Sequence, residues 1–182
     1  MNDPTLHFSR SEFAARLAKT REAMQSAGFD LLIVSDPSNM NWLTGYDGWS
    51  FYVHQAVVVP MSGDPIWFGR GQDANGALRT CYMGSTDIIG YPDHYVQSTQ
   101  RHPMDYLSAQ LLDRGLARGV VGVEMDNYWF TAAAFAALQK GLPDARFADA
   151  TALVNWQRAV KSESELAYMR QAGALVGKMH AR

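Results

Sequence analysis

The sequence predicts an α/β fold, a mixed and largely buried β-sheet flanked by helices. Three observations predict it. Short apolar runs rich in Val and Ile, at 29–36, 55–60, 64–69 and 118–126, are bounded by turn residues. They alternate with segments whose apolar residues recur at helical spacing. The 182 residues are 47% hydrophobic and 19% charged, enough to bury one sizeable core.

The first helix opens at Ser9 and Glu12, an S-x-x-E pair that satisfies free amide donors. Phe13, Leu17, Thr20 and Met24 mark its inner face, and Gly28 stops it. FDLLIVSD (29–36) is a buried strand. Asp36-Pro37-Ser38-Asn39 is a turn and cap, so 38–44 forms one or two helical turns with Met40 and Leu43 inward, ended by Gly45. QAVVVP (55–60) and DPIWFG (64–69) flank MSGD and read as a hairpin. STDIIGY (85–91) is a weaker strand. A helix at 103–116 starts with Pro103 in its first turn and carries Met104, Leu107, Leu111 and Leu112 on one face. RGVVGVEMD (118–126) is a strand, 128–142 a helix ended by Gly141, and DARFADA (144–150) a brief strand. Ser162 and Glu165 form a second S-x-x-E box. Leu166, Met169 and Val176 then keep helical spacing with no stop signal, which predicts a truncated chain whose last helix packs on a second domain.

Composition excludes several functions. A net charge of −2 offers no basic stripe for nucleic acid or an anionic membrane. No run approaches a membrane span, and the amino terminus does not read as a signal peptide. The single Cys81 cannot form an internal disulfide, and a cytoplasmic protein is expected. His7, His54, His94, His102 and His180 lack short ligand spacing, so no self-contained metal site is predicted. GRGQDANG (69–76) lacks the Lys-Ser/Thr pair of a phosphate loop. Asp93, His94, Tyr95 and His102 share a loop that reads as turn chemistry before ligand chemistry. Glu124, Asp126 and Asn127 follow a strand, with Asp126 or Asn127 expected to cap the next helix.

The unusual segment is residues 46–55, YDGWSFYVHQ. Core packing accounts for Trp42, and for Phe51. It does not account for Tyr46, Trp49, Tyr52 and His54 together, because amphipathic rings collect where one end stays wet. An interface or ligand pocket stands level with a core reading there.

Two stretches carry a resemblance to a known family. DPSNMNWLTGY (36–46) is similar to the N-x-x-[YW]-[LY]-[TS]-G signature in the amino-terminal domain of the creatinase, prolidase and aminopeptidase P family. WQRAVKSESELAYMRQAG (156–173) resembles the Arg-x-x-Lys-[SD]-x-x-E-[IL] run that opens that family's catalytic domain. Within the family, residues 43–55, 69–77, 90–107 and 124–135 resemble the ectoine hydrolase branch more than the proline peptidases. The resemblance implies an amino-terminal α/β domain over 1–158, then a junction and the first helix of a "pita-bread" catalytic domain over 159–182. It implies a homodimer in which this domain reaches the neighbour's active site. Phe51 falls near an aromatic substrate-contact position and His54 near a basic one, although Val53 stands where strict counting places the family's arginine. Trp49 and Tyr52 join them as candidates from chemistry and position.

The implied activity is hydrolysis of a C–N bond in a small ectoine-like substrate, with no catalytic residue and no metal ligand in this chain, which is expected to be inactive alone. A divalent metal is left open for the catalytic domain, since the peptidase members bind two through Asp, Asp, His, Glu and Glu while creatinase works without one. The alternatives are a metal-dependent Xaa-Pro aminopeptidase or prolidase, and a non-catalytic binding module.

Overall fold

In the computed structural model, which describes residues 4–181, α1 spans Arg10–Ala27 and β1 Leu31–Val34; α2 covers Pro37–Thr44, β2 Ala56–Pro60 and β3 Ile66–Arg70. Then come α3 (Gly71–Thr80), β4 (Ile88–Tyr91), α4 (Pro103–Asp113), β5 (Gly119–Val123), α5 (Ala132–Gly141), β6 (Ala145–Asp149), α6 (Leu153–Ala159) and α7 (Glu163–His180). The strands form one mixed sheet in the order β4-β3-β2-β1-β5-β6. β2 pairs antiparallel with both β1 and β3, and every other pair is parallel. Only β2 therefore runs against the rest.

Alternation along each strand divides the core. Leu31 and Ile33 face a layer with Phe68, Leu107, Leu111 and Leu138, under α4 and α5. Leu32 and Val34 face the other side with Leu17, Met40, Leu43 and Trp67, under α1, α2 and α3. Both faces of the central strands are covered, which is why they read as unbroken apolar runs.

Local signals are obeyed closely. Ser9 Oγ accepts from Glu12 N, and Gly28 caps α1 in the left-handed region at φ 73°. Asp36 caps α2 with Pro37 in its first turn, and Ser162 and Glu165 form a reciprocal box at α7. At the first helix only half the box forms, because the Glu12 carboxylate turns to Arg16 instead.

Some expectations fail. GRGQDANG, to which the sequence assigned no element past Gly69, ends β3 and from Gly71 opens α3, despite glycines that each disfavour a helix by about 1 kcal/mol. At Gly71 the absent side chain allows close packing, since a Cβ on Gly90 of β4 would stand 2.8 Å from Gly71 Cα. Helix α6 is short, has no side-chain cap and went unpredicted. Leu112 is 53% exposed, off the face that buries Met104, Leu107 and Leu111. Thr131, not Asp126 or Asn127, caps the start of α5, and Gly141 is its last residue, with Leu142 as cap.

Candidate functional site

Five strands run the same way, so their carboxyl ends share one edge of the sheet, and ligands in open α/β sheets bind at such edges. The segments that reach this edge are 35–36, 92–102, 124–131 and 150–152. The reversed β2 brings its own leading segment, 46–55, to the same edge.

That segment divides its rings. Tyr46 is buried at 4% exposure, 5.1 Å from the Trp67 ring, and its hydroxyl accepts from Gln55 Nε2 at 3.0 Å. Burial pushes its phenol up to about 12. Of the two readings left open for this segment, Tyr46 thus takes the core one. Phe51, for which a core place and a substrate contact were both open, lies outside at 65%, beside Trp49 at 62% and Tyr52 at 58%. Composition cannot distinguish these rings. What separates them is that Tyr46 has a buried polar partner within reach and the others have none.

Trp49 and Phe51 meet edge to face at 6.5 Å, and the Phe51 ring continues to Tyr128 at 6.2 Å. Val53, at the family's arginine position, is buried. His54 turns inward from the row. Its ring lies 4.5 Å from that of His102, beside a cavity of about 210 Å³ lined also by Tyr52, Tyr95 and Arg101. Burial, then the neighbouring His102, pull the His54 imidazole down to about 4. The ring is therefore neutral at pH 7 and offers hydrogen bonds, not charge. His102 is lowered as well by burial, and its Nδ1 accepts from Met104 N at the start of α4.

A depressed imidazole favours the fold only while neutral. Its contribution is complete above the unfolded value of 6.5 and is lost as pH falls toward 4. Urea midpoints should drop between pH 7 and pH 4.5, and His54→Asn should flatten part of that slope. An unchanged slope in the variant would remove His54 as the cause.

A second feature lies on the α1–α2 side, where a cleft of about 780 Å³ opens between Trp42, Trp49, Asn41, Arg158 and Tyr168. Behind its Asn155 and Arg158, and beside a smaller cavity of about 200 Å³ lined by Asp36, Glu124 and Asn127, lies a polar network that the sequence did not reveal. Glu124, at 3% exposure, accepts from Ser35 N at 2.7 Å, Asp36 N at 2.8 Å, Asn39 Nδ2 at 2.6 Å and Asn127 Nδ2 at 3.1 Å. Burial raises its carboxyl above the ordinary range, and the N–H donors pull against that. Asn39 also donates to Asn155 and accepts from Arg158 Nη1 at 2.6 Å.

Nearby, Arg16 is 4% exposed and donates to Glu12, to the Trp42 carbonyl and to Glu165 at 3.2, 3.1 and 3.1 Å. Its guanidinium lies 4.1 Å from the Phe8 ring centroid, and Trp42 Nε1 donates to the same Glu165 oxygen at 2.8 Å. Gly45 closes the segment at φ 83°, where a Cβ would stand 2.8 Å from the Thr80 carbonyl oxygen. The two stretches that carried the family resemblance are therefore bonded to each other, Asn39 to Arg158 and Trp42 to Glu165. Asn39, Trp42 and Gly45 have structural work here.

Helix α7 is held only near its start. Glu165 and Tyr168, whose hydroxyl donates to the His7 carbonyl, fasten it, while Met169, Leu175, Val176 and Met179 are exposed. Among the described residues, no group of three or more His, Cys, Asp or Glu could hold a metal ion, and no helix is long and apolar enough to cross a membrane.

Residues 16–160 match the Creatinase/Prolidase N-terminal domain family. Among characterised sequences, the chain is 60% identical over 179 residues to the ectoine hydrolase of Halomonas elongata, covering 98% of this chain and 45% of that protein. It is 46% identical to an uncharacterised hydrolase/peptidase of Sinorhizobium fredii, again covering 45% of the relative. The chain thus spans a little under half the length of these relatives. Among solved structures, a dipeptidase from Mycobacterium ulcerans superposes with TM-score 0.71 at 22% identity, over 96% of this chain and 44% of that one. A proline dipeptidase from Streptococcus pneumoniae gives 0.64 at 23%, over 80% and 98%. At these identities the structures speak for the fold alone.

Proposed function

Given that the chain belongs to the creatinase/prolidase amino-terminal domain family, we propose that it is the substrate-pocket and dimerisation domain of a cytoplasmic C–N hydrolase acting on ectoine. The observation that carries this reading is the row of exposed rings, Trp49, Phe51 and Tyr52, on the carboxyl edge of a rigid sheet. Isolated exposed apolar residues are ordinary, but a contiguous set of large rings supports a surface that is covered in use. The 60% identity to an ectoine hydrolase supports the substrate.

The full enzyme would add water across the amidine C–N bond of the ectoine ring, giving N-acetyl-diaminobutyrate. This chain's share is binding and exclusion. Ring faces attract the delocalised cation of the substrate by roughly 0.5–2 kcal/mol, more as water leaves. Neutral His54 adds no competing charge. The division at 158/159 is part of the proposal: α7 past its first turns has an apolar face that a following catalytic domain would cover, and any divalent metal would belong to that domain.

The test is a chromatographic assay of the full-length protein with ectoine, an Xaa-Pro dipeptide and creatine. Loss of ectoine with appearance of its acetylated product is expected, and Trp49→Ala or Phe51→Ala should impair it while leaving the fold intact. The 46% identity to a hydrolase/peptidase relative supports a second reading, a metal-dependent Xaa-Pro peptidase, which dipeptide cleavage would establish. Turnover of none of the three would favour a non-catalytic binding module.

A further inference from the structure

We propose that Tyr128 is a fourth ring of the substrate-facing wall, specific for a small organic cation, and that Asn127 is the residue that positions it. The proposal rests on the pocket reading above. Tyr128 is 70% exposed, yet its ring meets Phe51 at 6.2 Å and thereby extends the Trp49–Phe51 pair into a continuous row built from two loops. The backbone beneath it is tightly held. Asn127 Oδ1 accepts from Trp129 N at 2.9 Å, its carbonyl accepts from Phe130 N at 3.1 Å, and its Nδ2 donates to buried Glu124. Phe130 then drops into the core at 7% exposure. A loop anchored on both sides of one outward ring holds that ring in place without burying it, so the ring contributes little to the fold. Pre-organisation of this kind lowers the ordering cost of binding.

The charges nearby select the ligand class. In the chain, exposed Asp126 stands two positions before Tyr128, and exposed Asp47, two before Trp49, faces His7 at 3.4 Å. The cations around the rings are engaged: Arg70 by Asp93 through two hydrogen bonds at 2.8 and 2.9 Å, Arg158 by Asn39 at 2.6 Å, Lys161 by the Ala159 carbonyl at 3.0 Å, and Arg101 by the Tyr95 ring at 5.8 Å. With those cations engaged, the exposed ring faces favour a cation such as an amidinium over an anion or a neutral ring.

Steady-state kinetics of the full-length enzyme on ectoine test this. Tyr128→Ala should raise KM about 3- to 30-fold with kcat changed less than twofold, and Tyr128→Phe should stay within about twofold of wild type. Tyr128→Leu, which keeps apolar bulk without the π face, should behave as the alanine variant does. Asn127→Ala should reproduce part of the KM defect. A normal KM for Tyr128→Ala beside a defective Phe51→Ala would overturn the role of Tyr128 and leave the pocket standing. Wild-type behaviour of Tyr128→Leu would overturn cation recognition in favour of packing. Wild-type kinetics in Trp49→Ala, Phe51→Ala and Tyr128→Ala together would sink the pocket reading itself.

Discussion

Replacing Glu124 by alanine is expected to cost about 3–5 kcal/mol of folding stability. Two contributions oppose each other. Removing a carboxylate from a 3% exposed site relieves its desolvation, which taken alone would stabilise. The four donors that point at it remain, and two of them, the amides of Ser35 and Asp36, are backbone groups that no side-chain change can remove. Each orphaned buried donor costs about 1–3 kcal/mol, so their sum exceeds the relief. Glu124→Leu restores volume but not the acceptors and should recover little. Glu124→Gln places an amide where only acceptors are wanted and should lose about 2 kcal/mol. Urea unfolding of the 182-residue chain reads all three. A loss under about 1 kcal/mol for the alanine variant would mean that water or a rearranged Asn39 replaces the carboxylate.

The second large effect is expected at Arg16. Its guanidinium joins Glu12, Glu165 and the Trp42 carbonyl, so one residue of α1 fastens both α2 and the start of α7. Exposed ion pairs are worth at most about 1 kcal/mol and fully buried ones cost about 3–5 kcal/mol when broken. With Arg16 buried and its two carboxylate partners partly wet, Arg16→Ala should fall between, at about 2–4 kcal/mol. Arg16→Lys should lose most of this, because a single ammonium cannot reach three acceptors in a plane. Combined with Glu165→Ala, the two changes should be non-additive by about 1–3 kcal/mol, and amide exchange over residues 163–170 should accelerate in either single variant. Strict additivity, or unchanged exchange, would show that α7 does not depend on this junction.

Much of the architecture was legible along the chain because its determinants act over a few residues. Ser9, Asp36 with Pro37, and Ser162 with Glu165 each supply an acceptor to amides within three positions, so the helix starts follow from local chemistry. The central strands followed from apolar runs that any doubly covered sheet requires. Helix α3 broke this pattern because its first residue, Gly71, packs closely on Gly90 of β4, while local propensity opposes its glycines.

By itself, then, the sequence determined the fold class, most helix boundaries and the two stretches by which the family can be recognised. Only the tertiary structure decided what those stretches do. Asn39 and Arg158 lie 119 positions apart, and nothing within either segment signals the other. It decided too that Tyr46 is buried while Phe51 is exposed, and that Tyr128 completes the row Phe51 begins. The physical reason is range. Caps and turns are selected by energies that close within one helical turn, whereas the side a ring faces depends on which partner the folded chain brings to it.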